Sequence, residues 1–159
     1  MCWDCDHPAG RMEDHLATLR RCIDARGWAV QALDRDRAHP PWAYTVGLTL
    51  LGLPELVVTG LPVLEGGRLL DAVAEHLTHT CLPSPGRRFS LPGGPLLEVV
   101  EVARPWAHLL VSARLFGEGI AALQLVHPDS GGRWPWDSEY AGVPGGQPVL
   151  GVRARPPGG

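Results

Sequence analysis

The chain contains no lysine and no asparagine, although it holds 14 arginines in 159 residues. Without lysine there is no Schiff-base amine, no pyridoxal phosphate anchor and no P-loop lysine for a nucleotide. Without asparagine there is no Cys-His-Asn triad. Only two Ile and two Phe are present, and this deficit, with the abundance of Ala, Gly, Pro and Arg, resembles the codon bias of a GC-rich bacterial genome. Unbroken apolar runs are only a few residues long, far short of the 18 or so that a spanning helix needs, so no membrane is expected. The first residues lack a basic stretch followed by an apolar one, and a cytoplasmic location is expected. None of the five serines lies in Gly-x-Ser-x-Gly, and no Gly-x-Gly-x-x-Gly follows a strand; neither an esterase nor a dinucleotide enzyme is indicated.

What is present describes a folded domain. Hydrophobic residues make up 45% and charged residues 19%, with mean hydropathy near zero, as in one globular domain rather than a disordered chain. The formal charge of −3 and the scattered arginines provide no field to attract nucleic acid, which is not an expected partner.

Leu16, Leu19 and Ile23 recur at helical spacing ahead of Gly27, and predict a helix over Glu13–Arg26. Short apolar runs bounded by Gly and Pro predict strands over Trp28–Leu33, Ala43–Thr49 and Glu55–Thr59, joined by connections too short for a crossover helix. A second helix is expected over Leu64–Thr80 and a third over Trp106–Phe116. Between them come a Pro- and Gly-rich loop with a possible short strand around Phe89, and a buried strand over Leu96–Ala103. Ala121–Val126 reads as the last strand, Val149–Val152 as a possible edge strand, and 153–159 as a disordered tail with nothing to pack. The expectation is one α+β domain over residues 1–152, with an antiparallel-rich mixed sheet of about five strands packed with three helices. Trp28, Leu70, Val73, Val100, Trp106, Leu110 and Leu125 are the expected core.

Three constellations could carry chemistry. Cys2-x-x-Cys5, with His7 nearby, has the spacing to grip zinc or another transition metal, or to stand as a frayed end. His76, His79 and Cys81 are a distant supplement, and Cys22 reads as a helix residue. The second constellation is Tyr44 and Thr45 on one strand with Glu55 starting another. A carboxyl in such an apolar setting either serves as a general acid or base, with Tyr44 as a further catalytic candidate, or accepts hydrogen bonds from an adjoining turn. The third runs from His127 to Trp134, Trp136 and Asp137: two indoles around a proline form a rigid surface that stacks on a ligand or closes the core. Thr45, His127, Trp134, Trp136 and Asp137 are the candidate substrate contacts. Glu98 and Glu101 point to opposite faces of one strand and make no carboxylate pair.

Cys2-Trp3-x-Cys5-Asp6-His7-Pro8, Gly27-Trp28-Ala29-Val30, Tyr44-Thr45-Val46-Gly47-Leu48, Pro54 to Gly60, Leu123-Gln124-Leu125-Val126, Trp134-Pro135-Trp136-Asp137 and Gln147-Pro148-Val149-Leu150 together resemble the bacterial domain-of-unknown-function family forty-two sixty-two. The resemblance runs from about Cys2 to Gly151, with His127 standing where members often carry Trp. It implies a small single-domain protein of actinobacterial type and names no reaction. The functional expectation is a pocket beside the sheet that binds a small molecule or peptide, with a tailoring enzyme of a biosynthetic or defence locus as one form. The alternative is a non-catalytic metal-binding or interaction module built on the Cys2 and Cys5 pair.

Overall fold

The computed structural model describes residues 9–81, 83–142 and 146–155. Helix α1 (Ala9–Arg26) begins four residues ahead of the expected Glu13. It buries Leu16, Leu19 and Ile23 and stops at Gly27, whose φ of 98° few other residues adopt and whose N–H donates to Ile23 O at 2.7 Å. Strands β1 (Ala29–Leu33), β2 (Trp42–Val46) and β3 (Glu55–Thr59) follow as an antiparallel meander, with a 3-10 turn over Leu48–Leu51 before β3. Helix α2 (Val63–Leu77), the short β4 (Arg88–Phe89), β5 (Leu97–Glu101), helices α3 (Pro105–His108) and α4 (Leu110–Phe116), and β6 (Ala122–Val126) complete the order.

The six strands form one sheet in the order β1-β2-β3-β6-β5-β4. Only the β3–β6 pairing is parallel, in register at Leu56 and Leu123, because the chain between them passes through α2, β5, α3 and α4 before β6 enters the centre of the sheet. The sheet is thus mixed and antiparallel-rich, with one strand more than expected because Arg88–Phe89 does pair with β5.

One face of the sheet is covered by α2, whose Leu70, Val73, Ala74 and Leu77 pack on Ala43, Leu56, Val58, Leu97, Val99 and Leu125, with Trp28 in the same cluster. Gly66 lets α2 approach closely, since a Cβ there would lie 3.3 Å from Val58 Cγ1. The α1 side forms a second cluster: Leu16, Leu19 and Ile23 meet Tyr44, Val46, Val57, Leu109 and Ala122. A third, smaller cluster joins Val100, Val126 and Trp134.

The continuous third helix is not formed. The backbone breaks at Leu109 (φ −101°, ψ 67°) between α3 and α4, which drops Leu109 into the core and leaves Trp106 40% and Leu110 61% exposed. Those two residues therefore leave the expected core, while Trp28, Leu70, Val73, Val100 and Leu125 are buried as expected, although in separate clusters. Val149–Val152 is not a strand: Leu150 O accepts from Ala103 N in a single backbone bond, and Val152 is exposed. The expectation that the tail from residue 153 packs on nothing fails at Arg153, which is bound to the sheet as described below.

Truncation separates the two classes of position. Leu70→Ala is expected to lose about 2–5 kcal/mol of stability, by transfer and cavity terms. Leu110→Ala is expected to stay within about 0.5 kcal/mol of the parent, both read by denaturant unfolding. Equal losses at the two positions would contradict the broken helix.

Candidate functional site

Glu55 is fully buried at the start of β3. Its Oε2 accepts from Thr45 Oγ1 at 2.6 Å and from Leu48 N at 3.3 Å; its Oε1 accepts from Gly47 N at 2.9 Å, Thr49 N at 3.1 Å and Thr49 Oγ1 at 2.8 Å. The carboxylate thus collects the amides that open the 3-10 turn. Gly47 makes this possible with a φ of 121° and by bringing its backbone so close to Gly27 O and Ile23 that a Cβ would meet each at 3.0 Å. Thr45 Oγ1 in turn accepts from Leu56 N at 2.8 Å. Tyr44 is buried, and its hydroxyl accepts from Val111 N at 3.1 Å, while Ser112 Oγ donates to Thr45 O at 3.1 Å. Tyr44, Thr45 and Glu55 together form a bracket between β2, β3 and α4, which matches the turn-bonding alternative for Glu55.

At the other end of the sheet Trp134 is buried and stacks on Trp136, with centroids 5.5 Å apart and planes 2° from parallel. Asp137 Oδ2 accepts from Trp134 N at 2.7 Å and holds the turn. Arg88 lies 4.3 Å from the Trp134 centroid and Arg153 lies 3.8 Å from the Trp136 centroid. Both guanidiniums converge on Glu98, whose side chain is 1% exposed: Arg88 Nε donates at 3.0 Å, Arg153 Nε at 2.6 Å and Arg153 Nη2 at 3.0 Å. Burial alone would raise the Glu98 carboxyl, but the hydrogen bonds and charges of Arg153 and Arg88 outweigh it and hold the group below its ordinary 4.5. Glu101, three residues on, is exposed. This cluster closes the core under the C-terminal segment, the second of the two uses open to the paired indoles.

Between the two ends, buried amides fasten that segment to the sheet. Gln124 Nε2 donates to Thr59 Oγ1 and Pro148 O, and its Oε1 accepts from Leu150 N at 2.7 Å. Gln147 pairs with the His127 backbone in both directions, at 3.0 Å and 2.8 Å. The sequence signal for this was the lone polar Gln124 within Leu123-Gln124-Leu125.

The open space lies on the α2 side. A cleft of about 250 Å³ is lined by Leu61, Glu65, Leu69, Pro95 and the loop from His127 to Ser130. It shares Leu69 and Pro95 with a second cleft of about 270 Å³ formed by α2 and the loop from Leu91 to Gly94. The two make one groove along α2. His127 is 7% exposed, and its Nε2 faces Thr59 O at 3.2 Å. Its Nδ1 lies 3.4 Å from Pro128 O, so both ring nitrogens face backbone carbonyls of the fold. Asp129 lines the same cleft, but its carboxylate is already organising the loop: it accepts from Gly131 N, Arg133 N and Ala141 N. Those backbone bonds, led by Ala141 and Arg133, lower its carboxyl below the usual range. A third cleft of about 250 Å³ lies at Arg20, Ile23, Leu50 and Phe116.

Of the residues singled out in the sequence, only His127 lines the groove; Tyr44, Thr45 and Glu55 line none of these three clefts. Glu65, Arg68 and Leu69 were missed because a helix surface carries no distinguishing pattern. Cys2, Cys5 and His7 lie outside the described residues. Among the described residues no three His, Cys, Asp or Glu side chains are grouped to hold a metal, and Cys22 and Cys81 are free and exposed. No helix among them is long and apolar enough to cross a membrane.

Residues 22–141 match the family model described as Domain of unknown function (DUF4262). The chain belongs to that family. No curated protein and no solved structure matches it.

The Glu98 cluster carries a pH signature. A carboxyl lowered in the folded state contributes stability that is present above its unfolded value of 4.5 and is lost as the pH falls through the folded value. Glu98→Gln is expected to cost about 1–2 kcal/mol near neutrality. The gap between the two proteins should hold down to about pH 5.5 and narrow below that, as read by urea unfolding at each pH. A gap that widens in acid would contradict the assignment.

Proposed function

We propose that the protein binds a small molecule or short peptide in the groove between α2, the His127–Ser130 loop and the Leu91–Pro95 loop. The observation that carries this reading is the continuity of the two clefts through Leu69 and Pro95. Leucine and proline side chains supply an apolar floor, and a few polar groups at the rim set orientation, the usual chemistry of a small-ligand site. The buried side chains nearest to catalytic chemistry, Tyr44 and Glu55, spend their hydrogen bonds on the fold, so the reading is one of binding.

The test is a chemical-shift titration of labelled protein with indole and cyclohexanol. Perturbations are expected to concentrate at Leu61, Leu69 and His127, and Leu69→Asp, on a half-buried helix position, should abolish them while leaving the melting temperature within a few degrees. Perturbations confined to the cleft at Leu50 and Phe116 would overturn the reading.

A further inference from the structure

The groove has a charge polarity that the fold does not use. Glu65 and Arg68 sit three residues apart on α2, the spacing at which opposite charges commonly pair along a helix. Among the described residues neither side chain has an ion-pair or hydrogen-bond partner. Each instead lines one of the two joined clefts: Glu65 the one that contains His127, and Arg68 the one floored by Leu91, Pro95 and Leu97. The first cleft holds no arginine. Its unspent acceptor is the Glu65 carboxylate, since the Asp129 oxygens are taken by the loop and both His127 ring nitrogens face backbone carbonyls. The second cleft has one charged group, the Arg68 guanidinium, in otherwise apolar surroundings. Leu69 and Pro95 lie between them.

We infer, building on the binding reading above, that the groove takes a short peptide with both termini free. Its ammonium sits against Glu65, an apolar side chain lies on Leu69 and Pro95, and its carboxylate meets Arg68. The spans agree. Three residues of helix advance about 4.5 Å, the two side chains line different clefts, and an extended peptide covers about 3.3–3.6 Å per residue, so two or three residues bridge the charges. A simple amine or a fatty acid would satisfy one end and leave the other unanswered. A guanidinium also binds a terminal carboxylate through two parallel N–H donors, which a lone apolar cleft cannot offer.

The test uses the tripeptide Ala-Leu-Ala with free termini, its N-acetylated form and its C-terminal amide, with dissociation constants read by chemical-shift titration of the full chain. Each cap is expected to weaken binding about threefold or more, the scale of a solvent-exposed charge pair, and the effect should shrink in high salt. Glu65→Gln should erase the penalty of acetylation and keep that of amidation; Arg68→Gln should do the reverse. Both residues are exposed, and the variants should fold as the parent does. If both capped peptides bind as tightly as the free one, or if the two substitutions leave both penalties in place, the inference is overturned. If indole maps to Leu61, Leu69 and His127 while no form of the peptide binds, the peptide inference fails and the groove reading stands. If neither probe perturbs those residues, both fail.

Discussion

A carboxylate removed from water has to be met by donors, and the junction of β2, β3 and the 3-10 turn is built around that requirement at Glu55. Five donors reach its two oxygens, three of them backbone amides of consecutive residues 47–49. The chain cannot present those amides unless Gly47 takes its positive φ. That in turn brings the turn against Gly27 at the end of α1. The position of α1, the end of β2 and the start of β3 therefore follow from one desolvated group. Removing a donor set of this kind leaves a buried charge unanswered, which is why such groups restrict the chain so strongly.

The same rule governs the other half of the sheet. Glu98 is answered by two arginines that are themselves spread over indoles, and Gln124 and Gln147 meet the backbone of the returning C-terminal segment. Gly151 is part of this closure, because a Cβ there would run into Glu101 O. These polar groups are spent on the α1 side of the sheet and on its C-terminal strap, whereas Glu65 and Arg68, without a side-chain partner among the described residues, line the α2 groove.

How much of this could be read from sequence depended on the range of the interaction. Helix α1 and its stop were legible because Leu16, Leu19, Ile23 and Gly27 are a local pattern, and β3 was legible as an apolar run between Pro54 and Gly60. The parallel pairing of β3 with β6 was not, since it joins Leu56 to Leu123, residues far apart along the chain. The break at Leu109 defeated the periodicity of the third helix: Trp106 and Leu110 have helical spacing, yet the kink turns Leu109 inward in their place. At the site, Glu55 was visible as an anomaly in an apolar strand but with two meanings, and only the geometry of the turn chooses between them. The paired tryptophans were ambiguous in the same way, because stacking on a ligand and stacking on Arg88 and Arg153 require the same residues. Arg153 looked like tail, since nothing local to it foretells Glu98.

The central claim is that Glu55 shapes the fold and leaves binding to the groove. The most direct measurement is Glu55→Gln followed by thermal unfolding and by indole titration of the folded variant. An amide keeps the shape but replaces one acceptor with a donor that faces amides, so a loss of about 2–3 kcal/mol is predicted, or about 5–10 °C in melting temperature for a domain of this size. Indole affinity at Leu69 and His127 should be unchanged. An unaltered melting temperature together with lost affinity would contradict the account and return Glu55 to the site.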